Sequence, residues 1–249
     1  MGILLAFSGH MGSGKDTVAS PVVQNIPGPA IHGSFAAALR CELNAVIRII
    51  SESGTVFEAV IDTIMSLDGL YDAEAVESTV RALYDDVKMH GLDDISKRTP
   101  STRYAMQEWG TEVRRSKDPM HWVNIIKPMI LNDLSTGSTV YLTDARFPNE
   151  LDAVHDLGGF IVRLNVSPEV QAERIMKRDG VRVTDEMRSH PSETAADDYP
   201  DFDLVVDTDD KTVDEITRIV VSNIVNESDK IREYGDGSGS DEDAGEDQA

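Results

Sequence analysis

The stretch Ile3–Thr17, ILLAFSGHMGSGKDT, runs from an uncharged apolar segment through a glycine-rich turn into a helix start. Five apolar residues, Ile3 to Phe7, predict a short strand buried on both faces. Gly9-His10-Met11-Gly12-Ser13-Gly14-Lys15 then fits the first seven positions of a Walker A loop. Its glycines let backbone N–H groups turn inward around phosphate oxygens, and the following helix N-terminus adds partial positive charge. Lys15 reaches the β- and γ-phosphates in such a loop. The eighth position, ordinarily Ser or Thr, is Asp16, with Thr17 next. Either can hold a nucleotide-bound magnesium ion, directly or through water. Asp16 is alternatively an acidic first-turn residue favoured by the helix dipole.

Outward from this loop, the chain alternates short apolar segments with helical periodicity. Strands are predicted at Gly2–Ser8, Ala30–His32, Val140–Leu142, Phe160–Val166 and Phe202–Val206. Helices are predicted at Asp16–Asn25 (kinked or ended early by Pro21), Phe35–Ile50, Val56–Leu67, Ala73–Met89, Arg103–Arg115 (the body of a helix starting at Thr99-Pro100-Ser101), Pro119–Leu131, Pro148–Leu157, Pro168–Asp179 and Thr212–Glu227. Five such strands separated by helices imply an α/β fold of the P-loop NTPase type: a five-stranded parallel sheet covered on both faces, with a helical insertion. The segment 42–94 carries twelve acidic against three basic residues and reads as a solvated helical lobe. Gly235–Ala249 holds six acids and no base, and reads as a disordered tail.

The 249 residues include 45 acidic and 23 basic side chains, a formal net charge of −22. A surface of that sign repels a nucleic-acid backbone and an anionic membrane, so neither is an expected partner. One cysteine, Cys41, rules out an intrachain disulfide and is expected to be a small buried apolar residue. No apolar run approaches a membrane span, and the short N-terminal one lacks a basic flank, so a soluble cytoplasmic protein is expected. Six scattered histidines show no metal-ligand spacing.

Val140–Asp144 is an apolar strand ending in an acid, the form of a Walker B element, whose Asp holds the magnesium hydration shell. Arg146 follows at the same C-terminal sheet edge, where open α/β sheets bind ligands. Arginine and lysine gather in two windows, Lys97–Lys117 and Arg163–Arg188. In the first, Arg103 and Gln107 are i, i+4 on one helix face, a pair suited to a phosphate and a base edge. In the second, Arg174 and Arg178 have the same spacing and are expected in a lid, where fixed cations stabilise transferring phosphoryl oxygens. Trp122 is the tryptophan expected nearest the site; Trp109 is the other in that region. Ser34 and Phe35, just after the second strand, are also expected at the acceptor site.

Gly9–Ala19 (GHMGSGKDTVA), Arg103–Arg114 (RYAMQEWGTEVR), Asp118–Trp122 (DPMHW), Thr143–Glu150 (TDARFPNE) and His190–Glu193 (HPSE) resemble the phage-type deoxynucleoside monophosphate kinases in order and spacing. The Lys-Asp-Thr ending of the loop is characteristic of that group, and the resemblance runs over about residues 1–225. It implies a nucleoside monophosphate kinase-like fold, ATP with magnesium, conversion of dNMP to dNDP, and residence in a host cytoplasm if the chain is phage-encoded. It places Arg103, Gln107, Arg114 and Arg146 at the monophosphate, Asp144 near the metal and Arg174 or Arg178 in a lid. Residues 1–232 then form one kinase domain, with an insertion at about 42–98, a lid at about 168–195, and the tail at 233–249. The partner is a small-molecule nucleoside monophosphate, with homodimerisation left open. The nearest alternatives are another P-loop small-molecule kinase, phosphomevalonate-like, whose acceptor has no base, and a nucleotide-switched binding protein without a metabolite substrate.

Overall fold

The computed structural model describes residues 2–52, 57–66, 73–97 and 99–236, with side chains described as far as Asn226. Five strands form one sheet: β1 (Leu4–Ser8), β2 (Ala30–Gly33), β3 (Thr139–Leu142), β4 (Phe160–Asn165) and β5 (Leu204–Asp207). All pairings are parallel and the order is β2-β3-β1-β4-β5. Parallel neighbours need crossover connections, which put helices on both faces.

The central strand shows why. Successive side chains of a strand point to opposite faces. Leu4 and Ala6 join one core with α6 (His121–Ser135) and α7 (Pro148–Asp156), through Val123, Ile126, Ile130, Leu151 and Val154. Leu5 and Phe7 join the other with α1 (Lys15–Gln24) and α11 (Val213–Asp236), through Val18, Val22, Ile216 and Val220. With α1 and α7 on opposite faces and β1 beside β3, the C-terminal ends of these two strands open a crevice between their outgoing connections.

A third core lies away from the sheet. It unites α2 (Ala36–Glu52), α3 (Phe57–Met65), α4 (Ala73–His90), α5 (Pro100–Glu108), and Trp109, Val113 and Trp122. The apolar positions of α2 read from sequence, Leu39, Leu43, Val46, Ile47 and Ile50, are all buried in it. Acidic faces thus belong to a lobe with its own core, and the lobe includes α2, which begins earlier than the acidic segment.

Several expectations need correcting. Helix α1 runs through Pro21 to Gln24. Thr17, whose carbonyl loses its helical partner to the proline, is exposed, so water can replace that bond. Cys41 is exposed, because it lies off the α2 stripe that Leu39 and Leu43 define. The helix with its body expected over Arg103–Arg115 starts at Pro100 behind a Thr99 cap, as read, but is α-helical only to Glu108 and continues as a π-helix over Trp109–Arg115. The helix expected at Pro119 begins at His121 and extends to Ser135. The last helix extends to Asp236, so residues 233–236 of the expected tail are helical. Residues 237–249 lie outside the described residues, as do Val56, Leu67 and Arg98. Two short helices were not foreseen: α9 (Asp185–Ser189) and α10 (Pro191–Thr194).

Candidate active site

The turn between β1 and α1 is built as the phosphate loop requires. A Cβ on Gly9 would come within 2.4 Å of the Leu164 carbonyl oxygen, and Gly14 holds φ 91, so neither accepts a side chain without strain. Gly14 caps α1 with no side-chain hydrogen bond, leaving the first-turn N–H groups of α1 without a side-chain acceptor. Ser13 is buried and its hydroxyl has no protein partner. Lys15 is 6% exposed. Its Nζ donates to the His10 carbonyl at 3.2 Å, and among the described residues it makes no ion pair. Burial first, then the nearby Arg146, lowers its pKa from the ordinary 10.5 to about 8, with Glu193, Asp16 and Asp144 pulling weakly the other way. A buried cation short of negative charge, beside uncapped helix N–H groups and an orphaned hydroxyl, fits a bound polyphosphate.

Asp16 and Thr17 are exposed on the first turn of α1, open to a metal held partly by phosphates. The described residues contain no cluster of three or more His, Cys, Asp or Glu arranged for a metal. Asp144 follows β3, but its oxygens are engaged. Ser34 Oγ donates to Oδ2 at 2.6 Å, the Ala36 N–H to Oδ2 at 2.9 Å and the Phe35 N–H to Oδ1 at 3.1 Å. Asp144 therefore caps α2 from across the sheet edge. Asp144→Ala is expected to cost about 1–2 kcal/mol, the scale of a lost cap, read by urea denaturation. A fully retained midpoint would show the cap to be incidental.

The other expected residues fall into two groups. Arg103 and Gln107 are both exposed on α5, and among the described residues neither forms a side-chain hydrogen bond or ion pair. Arg114 lies on the π-helix, where its Nε donates to Glu42 Oε2 at 2.9 Å. Glu42 also accepts from Trp109 Nε1 at 2.8 Å. Two expectations change. Phe35 is buried among Val123 and Ile126, so only its backbone lines the site. Trp122 is 1% exposed, with Nε1 donating to the Gly110 carbonyl, so it is core and cannot stack on a base.

The expected lid helix α8 (Pro168–Asp179) is docked on the loop. Arg174 donates to the Gly12 carbonyl at 3.3 Å and to Thr208 Oγ1 and O at 2.9 and 2.8 Å. Gln171, buried, donates to the Met11 carbonyl at 3.0 Å. Arg178 pairs with the adjacent Asp179 at 2.7 Å and stays half-exposed. Of the two, Arg174 is pinned and Arg178 is the more exposed.

Sequence reasoning missed how the chain after α9 grips the loop. Glu193 on α10 is buried; its Oε2 accepts from the Met11 N–H at 2.6 Å and its Oε1 from Arg146 Nη1. Arg146 Nη1 also donates to the Ser192 carbonyl at 3.2 Å. Asp197 Oδ1 lies 2.6 Å from His10 Nε2 and accepts from Arg163 Nη2, also at 2.6 Å. The only sequence signal was the HPSE stretch, His190–Glu193, which carries no spacing rule of its own. Behind Arg146, the buried Glu150 accepts from the Arg146 N–H at 2.8 Å, the Phe147 N–H at 3.2 Å and Arg115 Nη2.

No protein-family model matches the chain, and no curated protein sequence does. Solved structures similar to it include a gluconokinase from Sinorhizobium meliloti 1021, at 16% identity and TM-score 0.47, covering 93% of this chain and 95% of that one. A sugar kinase from Janibacter sp. HTCC2649 gives 14% identity and TM-score 0.47, covering 90% and 95%. The protein TT1252 from Thermus thermophilus gives 15% identity and TM-score 0.41, covering 91% and 97%. Likenesses this distant carry nothing about activity. No helix among the described residues is long and apolar enough to cross a membrane.

Proposed function

We propose that the chain is an ATP-dependent phosphotransferase acting on a nucleoside monophosphate, with a deoxynucleoside monophosphate as acceptor. The observation that carries this reading is the second cation beside the loop. Arg146 sits close enough to Lys15 to depress its pKa, at the edge where β1 and β3 end side by side. A protein that only binds ATP needs Lys15; one that brings a second phosphate up to it needs a fixed arginine as well. The sequence blocks that resemble phage-type deoxynucleoside monophosphate kinases support the choice of acceptor.

ATP with magnesium supplies the phosphoryl group and neutralises part of its charge. In this reading Lys15 and the loop N–H groups hold the triphosphate, and Asp16 or Thr17 holds the metal. Arg146, with Arg103 and Arg114, orients the acceptor phosphate, while Arg178 approaches from α8. The acceptor oxygen is already ionised, so positioning and electrostatics supply most of the rate. Asp144 keeps Ser34 and the start of α2 in place at the acceptor side.

A second reading has an observation in its favour. Trp109 and Trp122 are both core, as expected for an acceptor without a base, such as that of a phosphomevalonate-like kinase. Gln107 remains exposed and available to a base edge. Purified protein with ATP, magnesium and a panel of deoxy- and ribonucleoside monophosphates plus phosphomevalonate separates these readings. Equal yields of ADP and a deoxynucleoside diphosphate are expected. Phosphorylation of phosphomevalonate alone would favour the second reading. ATP hydrolysis with no phosphorylated acceptor would overturn both in favour of a nucleotide-switched binder.

A further inference from the structure

We infer that Glu193 is a positioning residue that holds the donor loop and the acceptor arginine in register, through one carboxylate shared between Met11 and Arg146. The inference rests on the phosphotransferase reading. Its two oxygens face different halves of the site: Oε2 takes the Met11 N–H of the phosphate loop at 2.6 Å, and Oε1 takes Arg146 Nη1. The side chain is 5% exposed, so solvent does little to weaken either bond.

The mount is stiff. The His190 side chain caps α10, accepting from the Ser192 N–H at 3.1 Å, and the Ser192 carbonyl takes the same Arg146 nitrogen. On the loop side, the Met11 carbonyl is held by Gln171, whose Oε1 accepts from Arg188 Nε at 3.0 Å. Both backbone polar groups of Met11 are thus set by buried side chains from 168–193. A shift in Glu193 moves Met11 and Arg146 together, and in-line transfer requires their relative placement to hold. Misplacement of about 1 Å at such a site can cost about 10² in rate.

An amide cannot replace the carboxylate. Gln offers one acceptor oxygen and turns an NH₂ toward the other donor, so one of the two ties is lost. The test compares wild type, Glu193→Gln, Arg146→Gln and the double variant, each with its melting temperature and ATP-binding stoichiometry, so that rates refer to folded protein. Glu193→Gln is expected to lower kcat about 10²-fold with KM for ATP changed less than about threefold. The double variant should lose clearly less than the product of the two single losses, since both changes break the same Met11–Glu193–Arg146 link. Additive losses in the double variant, or a full wild-type kcat for folded Glu193→Gln, would overturn the inference while leaving the phosphotransferase reading intact. No transfer by the wild type to any acceptor would overturn both.

Discussion

Lys15→Met should lose phosphoryl transfer by on the order of 10³-fold or more while the protein becomes more stable, not less. The loss follows from removing a positioned cation where transition-state charge develops; a single uncharged donor in such a place is already worth about 10²–10³. The gain follows from burial. Lys15 is 6% exposed with no ion-pair partner among the described residues, and its pKa falls from 10.5 to about 8. Such a shift corresponds to about 3 kcal/mol of net unfavourable surroundings for the charge, burial first and Arg146 second. Met fills similar space without a charge, so up to that amount returns, less the bond to the His10 carbonyl. Folded Lys15 releases its proton near pH 8 and the unfolded chain near 10.5, so between these values the unfolded chain binds more protons and wild-type stability rises with pH. The advantage of Lys15→Met is therefore full below pH 8 and fades towards pH 10.5. Thermal melts of both proteins across that range measure it. A variant that melts lower than wild type at pH 7 would show that Lys15 has a structural counter-charge. Saturating ATP should reverse the order, because only the wild type gains the binding free energy of the complete site.

Glu150→Ala is expected to cost about 3–5 kcal/mol, the scale for breaking one partner out of a buried ion pair. Glu150 is 1% exposed, and burial, outweighing Arg115, holds its carboxyl above the usual carboxylate range. Its removal strands the Arg115 guanidinium, which stacks 4.0 Å over the Phe147 ring and already has one buried nitrogen without a partner. It also releases the Arg146 and Phe147 N–H groups, and with them the turn that aims Arg146. Chemical denaturation should show the loss, and any folded remainder should bind the acceptor poorly. Glu150→Gln keeps the shape and one strong acceptor, and should fall between the variant and wild type. A Glu150→Ala protein with an unchanged denaturation midpoint would contradict the assignment of Glu150 as the anchor of this turn.

Much of the architecture could be read along the chain because its signals are local. The run Leu4–Phe7 has no charge, so it forms a strand buried on both faces. Gly9, Gly12 and Gly14 adopt positive φ, which other residues resist, so the loop shape is written in their identity. Leu39, Leu43, Val46, Ile47 and Ile50 recur at helical spacing, so α2 and its buried face follow. The π-helix at Trp109–Arg115 escaped such reading. Local composition does not separate an α- from a π-turn there, and along this π-helix Trp109 and Arg114 meet Glu42 while Arg115 meets Glu150.

By itself, the sequence determined that this chain folds as a parallel α/β sheet with a phosphate loop at the end of its first strand. Backbone conformation and hydrophobic period act over a few residues and need no partner. Only the tertiary structure decided that Trp122 and Phe35 are core, that Arg174 is pinned to the loop, and that Glu193 joins Met11 to Arg146. Those outcomes depend on which groups meet across the fold; Glu193 meets Arg146 from 47 positions away and Met11 from 182. Charge pairing at that separation is set by packing, and one-dimensional spacing does not encode it.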